Sequence, residues 1–482
     1  VELVGANVSP SAPVVIDATG NGDVAIAAGA DSMYGSIEDG DIALQGTGLG
    51  PRPLGEHYAN NDYLLVDEAD MVDVWRALTS AFLKNASAYD VVPLIQTRER
   101  RRVVGDFVMR YVDQIAGRTY PDSIVFSGSD YDSHGYPSSP YFALLPHDAE
   151  SRKQNHPAPG GTCYTPYRCL LPRGLENILV TGLAISMERD ASAMVRMQLD
   201  MANQGYAAGV AASMAAKKNT APRNIDVDDL QAHLVDAGCL PESVLSDQDA
   251  FPLPADAVRQ AVEAYGASTD PTSAGKPLAV ILTHQQAALP MLRQAYDGAE
   301  GRSRLLYAQV LAVLGDATGV PVLLAALKDA EWDAKILQGR MAEYAHLPTP
   351  VDSIIVALGY AGDRSAVPAI LDMMKSLDAK DTLSHHRSVA LALERLGDRA
   401  AARPLADLLG KPRMRGYAMT SLRRGKKVEE RTASLREITL ARTLYRCGDH
   451  KGIGKEILEQ YRHDLRGLFA RHAESVLSEG ES

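Results

Sequence analysis

The order of apolar and polar positions divides the chain into two unlike parts. Near the start, the β-branched run Val14-Val15-Ile16 passes through Asp17 and Ala18 into Thr19-Gly20-Asn21-Gly22-Asp23 and an alanine-rich segment. A short apolar run closed by glycines predicts a buried strand, a tight turn and a helix start. Ile178-Leu179-Val180-Thr181-Gly182 predicts a second buried strand ending at a glycine. In Asn203-Gln204-Gly205-Tyr206-Ala207-Ala208-Gly209 small residues occupy every face of a helix, which permits close packing. Up to about residue 250, strand-like runs mix with glycine turns and short helical patterns; beyond it, alanine and leucine recur at helical spacing. Phe251-Pro252-Leu253-Pro254 and Ser273-Ala274-Gly275-Lys276-Pro277 read as punctuation. They predict a linker over 251–277, a helical region over 278–482, and two halves with separate cores.

The helical region repeats itself. Leu314-Gly315-Asp316 precedes Val320-Pro321, and Ala361-Gly362-Asp363 precedes Val367-Pro368. Leu396-Gly397-Asp398 precedes Arg403-Pro404, and Cys447-Gly448-Asp449 precedes Ile453-Gly454. In each unit an apolar helix runs into the glycine. Glycine suits a left-handed C-cap, aspartate caps the next helix, and proline suits a first helical turn. An earlier, degenerate unit includes Ala288-Leu289-Pro290-Met291-Leu292. The unit resembles HEAT-type repeats, which implies an all-α HEAT-like solenoid over 278–482, since such pairs bury their apolar faces only by stacking.

Bulk properties narrow the function. With 482 residues the chain has room for two or three domains, and 46% apolar and 23% charged residues are ordinary for a globular protein. A net charge of −12 argues against nucleic acid as a partner, because phosphate binding needs clustered Lys and Arg. No apolar run approaches the ~18–20 residues of a membrane span. The expectation is a soluble protein without a membrane span, with the cytoplasm favoured and both export and oligomerisation left open. Cys163, Cys169, Cys239 and Cys447 are too few for a disulfide framework and lack metal spacing. They read as ordinary thiols, with a redox pair at 163 and 169 as the sharper alternative, and no metal site is expected. Gly46-Thr47-Gly48-Leu49-Gly50 lacks the Gly-Lys-Ser that a phosphate loop needs.

Several segments of the first half, in order, resemble FAD-dependent oxidoreductases of the glutathione-reductase-like flavoprotein superfamily. Asp17-Ala18-Thr19-Gly20 resembles its "DATG" segment, and Asn177–Ser186 resembles the strand beside the ribityl chain and pyrophosphate. Many members carry Gly-Asp where this chain has Gly182-Leu183, which puts a carboxylate contact there in doubt. Gln204–Ala212 resembles the "GQAAGxAA" helix, whose start the resemblance places at the pyrimidine end of the flavin ring. A helix N-terminus there stabilises negative charge. Arg98–Gly105 followed by Gly117 and Asp122-Ser123-Ile124 resembles "RExRRIxG…G…DxI", and Tyr164–Pro172 resembles "xxPYRxLLP".

The resemblance covers residues 1 to about 215. It implies an α/β FAD-binding domain over 1–30 and 161–250 with an inserted, mostly-β substrate domain over 31–160. It implies FAD as cofactor, with Ala18, Thr19, Gly20, Gly182, Ser186, Arg196, Asn203, Gln204 and Gly205 as binding residues. In that superfamily "DATG" follows an N-terminal GxGxxG segment. The FAD domain is therefore expected to be incomplete in this chain, its GxGxxG coming from an N-terminal segment or a second chain.

Alternation along an extended segment puts Arg98, Arg100 and Arg102 on one face, with Arg98 and Arg102 as the inward pair. An inward Arg either pairs with a carboxylate or orients an anionic substrate. Asp132 and His134, two apart, share one face of a strand. A His held by a carboxylate can remove a hydroxyl proton while hydride leaves for flavin. Tyr167 and Arg168 are expected to line the pocket. The candidate catalytic residues are therefore His134, Asp132, Arg102 and Tyr167, with Glu188 and Asp200 as further polar candidates. The predicted function is FAD-dependent oxidation or reduction of a small organic substrate by hydride transfer. The alternative is a non-catalytic scaffold that uses the solenoid and keeps a degenerate flavin fold.

Overall fold

The computed structural model describes residues 13–36, 40, 42, 44, 47–50, 61–64, 66–85, 94–96, 98–129, 131, 135–146, 161–328, 330–332, 348–421 and 431–479. The first β-branched run forms β1 (Val15–Asp17), and the glycine turn delivers the chain into α1 (Asp23–Ala27). Then come β2 (Ser32–Met33), β3 (Thr47–Gly50), β4 (Asn61–Leu64), α2 (Met71–Asn85), β5 (Leu94–Gln96), β6 (Arg102–Val103), α3 (Tyr111–Ala116) and β7 (Ser123–Ser129). α4 (Pro140–Leu144), β8 (Gly161–Pro166) and β9 (Ile178–Val180) follow. β1 and β9 pair in parallel, Val15 opposite Ile178 and Asp17 opposite Val180, so both predicted strands end side by side.

Among the described residues of 31–160 the expected mostly-β domain is not seen. Its described strands fall into small sheets, β2 with β6, β3 between β4 and β5, and β7 with β8, and α2, α3 and α4 interrupt them. α2 forms because Asp70 caps it, accepting hydrogen bonds from the Val72 and Asp73 N–H groups at 2.9 and 3.3 Å. After β9 run α5 (Ser192–Val195), the long α6 (Gln198–Lys218) and α7 (Val227–Asp236). α6 starts at Gln198, so Asn203, Gln204 and Gly205 lie inside it rather than at its N-terminus. Met197 is extended at φ −68° and ψ 152°, and Asp200 sits in the first turn, where a carboxylate favours a helix start.

The stretch expected as a linker is mostly helix. α8 (Ala255–Gly266) and α9 (Pro271–Thr283) cover it and pack on each other. Asp270 and Ser273 form a capping box, Pro271 occupies the first turn, and the buried run Leu278–Leu282 follows. Capping and burial outweigh Pro277, which sits inside α9 without an N–H to donate.

The remaining helices are α10 (Gln285–Gly298), α11 (Gly301–Val313), α12 (Val320–Lys328), α13 (Pro350–Ala361), α14 (Val367–Met374), α15 (Leu383–Leu396) and α16 (Ala402–Leu409). α17 (Arg431–Arg446), α18 (Ile453–Arg462) and α19 (Gly467–Glu479) end the described chain. The Gly-Asp turns behave as their sequence dictates in three units: Asp316, Asp363 and Asp398 accept from the N–H two residues on at 2.8–2.9 Å. Asp449 differs. It is itself left-handed, at φ 47°, and accepts from the Gly454 and Lys455 N–H groups instead. α11, α13, α15 and α17 pack in succession. At one crossing the backbones nearly touch: a methyl group on Gly359 would lie 2.5 Å from the Ala392 Cα.

The two parts share one large apolar core, while Ala25, Ala30, Val103, Ile178, Val180 and Ala184 around the β1–β9 turn form a smaller cluster of their own. The large core runs without a break from Met109 and Tyr111 through Tyr265 and Leu278 to Leu477. α9 packs on α3, the Tyr265 hydroxyl donates to the Leu144 carbonyl at 2.7 Å, and Arg118 holds Asp249 with two hydrogen bonds of 2.9 and 2.8 Å.

Candidate functional site

The site is organised by a residue outside the predicted set. Asp17 is buried at the end of β1. Its Oδ1 accepts from the Thr19 N–H and hydroxyl at 3.0 and 2.7 Å, and its Oδ2 accepts from the Ala25 N–H at 2.9 Å. The Thr19 hydroxyl in turn accepts from the Asp23 N–H at 3.0 Å. One carboxylate therefore ties strand, turn and α1 together, and Ala18 and Thr19 stay exposed at the tip. The sequence signal was available: an aspartate directly before Ala-Thr-Gly.

Gly20 and Gly182 end the two parallel strands with φ of 76° and 79°, a region that a side chain disfavours. A methyl group on Gly182 would lie 3.6 Å from the Gly20 Cα. The Gln204 side-chain oxygen accepts from the Gly182 N–H. The structure thus brings Gly20, Gly182 and Gln204 together at the carboxyl ends of adjacent parallel strands, where α/β sheets bind ligands. Gln204 is already committed to the turn and positions it. On the same helix Asn203 is half-buried and Gly205 is exposed, with nothing within 4 Å of an added methyl. Arg196 is half-buried at the end of α5. Ser186 is buried elsewhere: its hydroxyl accepts from the Gly105 N–H at 2.9 Å, so it locks two segments together instead of facing the turns.

The arginine segment runs beside this turn. A methyl group on Gly20 would lie 3.2 Å from Arg100 Nη1, and the Arg101 N–H donates to Asn21 Oδ1 at 3.1 Å. Arg98 and Arg102 are buried as expected, but not by alternation: Glu99 between them is buried too, and only Arg102–Val103 is strand. Arg102 donates to three backbone carbonyls, those of Met187, Arg100 and Gly35, at 2.9, 2.9 and 2.6 Å. Its guanidinium therefore holds a wall in place.

Arg102 is part of the lining of a cavity of about 990 Å³ between the sheet-bearing part and the helices. Arg101, Arg110, Glu188, Arg189 and Asp190 line one side; Leu282, Val313, Leu314, Tyr360, Arg471 and His472 line the other. Arg189 is buried between Glu99, at 3.1 Å, and Asp190, at 3.2 Å. Arg110, Arg189 and Arg471 carried no role in the sequence reading.

Other predicted residues lie elsewhere. Tyr167 is buried, its hydroxyl donates to the Pro222 carbonyl at 2.9 Å, and burial pushes its pKa up. Arg168 binds Asp122 at 2.9 and 3.0 Å. Neither lines the cavity, because the turn after β8 folds Tyr167 into the core. Asp132 and His134 lie outside the described residues. Asp200 is buried, and burial raises its carboxyl pKa. All four cysteines are free, and burial pushes the Cys163 thiol up to about 12, which suits an inert thiol. Among the described residues no His, Cys, Asp and Glu group could hold a metal, and no helix is long and apolar enough to cross a membrane.

Residues 58–234 match a family model described as FAD dependent oxidoreductase, a span that includes Gly182 and Gln204 and begins after Gly20. The match supports a flavin-dependent oxidoreductase in general, with FAD as its cofactor. No curated protein matches the chain. Among solved structures, the complex of CpcE and CpcF of phycocyanin lyase from Nostoc sp. PCC7120 is similar at 18% identity with a TM-score of 0.26. The similarity covers 39% of this chain and 63% of that one.

Proposed function

We propose that this chain is an FAD-dependent oxidoreductase that holds the cofactor at the Gly20 and Gly182 turns and admits a small organic substrate to the adjoining cavity. The observation that carries this reading is the pair of left-handed glycines ending adjacent parallel strands, fixed from behind by Asp17 and Gln204. Those turns suit a dinucleotide, since left-handed glycines let the two strand ends bend sharply and lie close together. Ala18, Thr19 and Gly20 would hold it from one strand and Gly182 from the other, with Arg196, Asn203 and Gly205 flanking. FAD, when bound, supplies the donor or acceptor of a hydride. The chain's own residues orient and exclude water: Arg102 and Asp190 fix the cavity wall, and the sequence assigns proton removal to His134, oriented by Asp132. The repeated Gly-Asp turns and the successive packing of α11, α13, α15 and α17 support reading the helical part as a HEAT-like solenoid.

The test is flavin content. The protein, co-expressed with an N-terminal segment or second chain that carries GxGxxG and purified with FAD supplied, is expected to show the visible flavin bands and to release FAD on denaturation. Gly182→Val is expected to lose that flavin while its helical circular dichroism persists. A protein that stays colourless even with that segment present, or a Gly182→Val variant with full flavin stoichiometry, refutes the reading.

A further inference from the structure

The cavity treats its acids and its bases differently. Asp190 is fully engaged: it accepts from Tyr131, from the Ser138 N–H and hydroxyl, from the Ser139 N–H and from Arg189. Glu188 accepts from the Tyr111 N–H. His472 is neutral at ordinary pH, because burial, then the Arg442 and Arg446 charges, push its pKa well down. Three partly exposed arginines keep donors in hand. Arg110 uses Nε and Nη2 on Asp113, at 3.1 and 2.8 Å, which leaves Nη1. Arg101 gives Nη2 to Asp23, and its buried Nε has no hydrogen-bond partner among the described residues. Arg471 gives Nη2 to Asp67 and rests over the Tyr34 ring, 5.0 Å from its centroid. A guanidinium carries five N–H donors, so each arginine is oriented by the carboxylate behind it and still has donors to offer.

The opposite wall comes from the helices and carries an apolar surface of Leu282, Val313, Leu314 and Leu468 beside the polar Gln285, Arg471, His472 and Ser475. α19 contributes Leu468, Arg471, His472 and Ser475, the i, i+3, i+4, i+7 positions of one helical face. That face is docked firmly, because the Gly467 N–H donates to Asp73 at 2.8 Å beside the Arg471–Asp67 pair.

We propose that the cavity binds a small carboxylic acid with an apolar body, its carboxylate held by Arg101, Arg110 and Arg471 and its carbon skeleton laid against the helical wall. Oriented arginines with spare donors recognise carboxylates, and a cavity of about 990 Å³ is of the size that takes a small molecule. Treating this acid as the substrate rests on the oxidoreductase reading. It also gives the C-terminal helices a direct part in specificity: α19 supplies both an arginine and part of the apolar surface.

The experiment is calorimetric titration of full-length protein, its flavin content measured in parallel, with paired probes: octanoate against octanol, phenylacetate against phenylacetamide, and adipate against hexanediol. In at least one pair the carboxylate is expected to bind at least ~10-fold more tightly than its neutral partner. Arg471→Gln is expected to weaken that binding ~10- to 100-fold. Because Arg471 also holds Asp67, Ser475→Glu is the second variant. It leaves the docking contacts intact, adds a negative charge one turn from Arg471, and is expected to weaken carboxylate binding at an unchanged melting temperature. Carboxylates that bind no better than their neutral partners to flavin-loaded protein overturn the acid pocket and leave the flavin reading standing. Carboxylate binding by protein that never takes up flavin does the reverse. A Ser475→Glu variant that binds like the parent overturns the part given to α19.

Discussion

Replacing Asp190 with alanine removes one acceptor from five donors at once. Oδ1 receives the Tyr131 hydroxyl and Arg189 Nη1 at 3.0 and 3.2 Å. Oδ2 receives the Ser138 N–H and hydroxyl at 2.9 and 3.0 Å and the Ser139 N–H at 2.6 Å. Asp190 and Arg189 are both essentially inaccessible, so the loss falls on buried groups. Removing one partner of a buried ion pair costs about 3–5 kcal/mol. Most of it should appear locally, because Asp190 staples the segment around Ser138 to the start of α5. Backbone amides over 136–145 are expected to exchange about 10²- to 10⁴-fold faster in Asp190→Ala. Asp190→Asn keeps an oxygen for Ser138 and Ser139 and loses the charge facing Arg189. Its cost should be about 1.5–3 kcal/mol, the usual worth of a hydrogen bond to a charged group. The assay is native-state hydrogen exchange by mass spectrometry, with thermal melts alongside. If the alanine variant exchanges within ~3-fold of the parent, or if asparagine is as damaging as alanine, the staple argument is wrong.

Further outcomes follow from other positions. His386 is buried, and burial, opposed by its hydrogen bond to the Thr382 carbonyl, sets its pKa at about 4 against an ordinary 6.5. The folded state prefers the neutral ring, so its contribution is complete above pH 6.5 and declines by about 3 kcal/mol as pH falls toward 4. His386→Leu should flatten urea midpoints between pH 7.5 and 4.5, and an unchanged pH dependence would sink the argument. Gly359→Ala should cost about 1–3 kcal/mol by overpacking. Ala392→Gly should restore little of it in thermal melts, because the nearest atom is a backbone Cα. His134→Ala should slow flavin reduction by substrate ~10²–10⁴-fold at unchanged flavin content, read by stopped-flow absorbance.

What the sequence disclosed was local. The two strands before Gly20 and Gly182 were legible because β-branched runs closed by glycine encode strand and turn within a few residues. The Asp316, Asp363 and Asp398 turns were legible for the same reason, since each cap is satisfied two residues away. Errors arose where distant partners decide. The punctuation at 273–277 hid α9, whose capping box and buried apolar run prevail over an internal proline. Tyr167 sits in a recognisable motif, but the motif is silent on which way the ring points, and β7–β8 pairing turns it inward. Arg471 could not be found at all: its relation to Tyr34 and Asp67 spans about 400 residues and exists only once α19 docks. Asp17 could have been found, because an acceptor directly before an exposed Thr-Gly turn has nearby N–H groups to receive.

The large core shared by both parts has a thermodynamic corollary. Because Arg118–Asp249, Tyr265–Leu144 and the α3–α9 contact join both parts, melting one part strands apolar surface of the other. A ligand that binds only the native cavity therefore stabilises helices it never touches. By mass action it adds about 2.7 kcal/mol at a hundred times its dissociation constant. The distant repeats become reporters: slower exchange in α15 on ligand addition would register occupancy of a pocket whose walls they do not form.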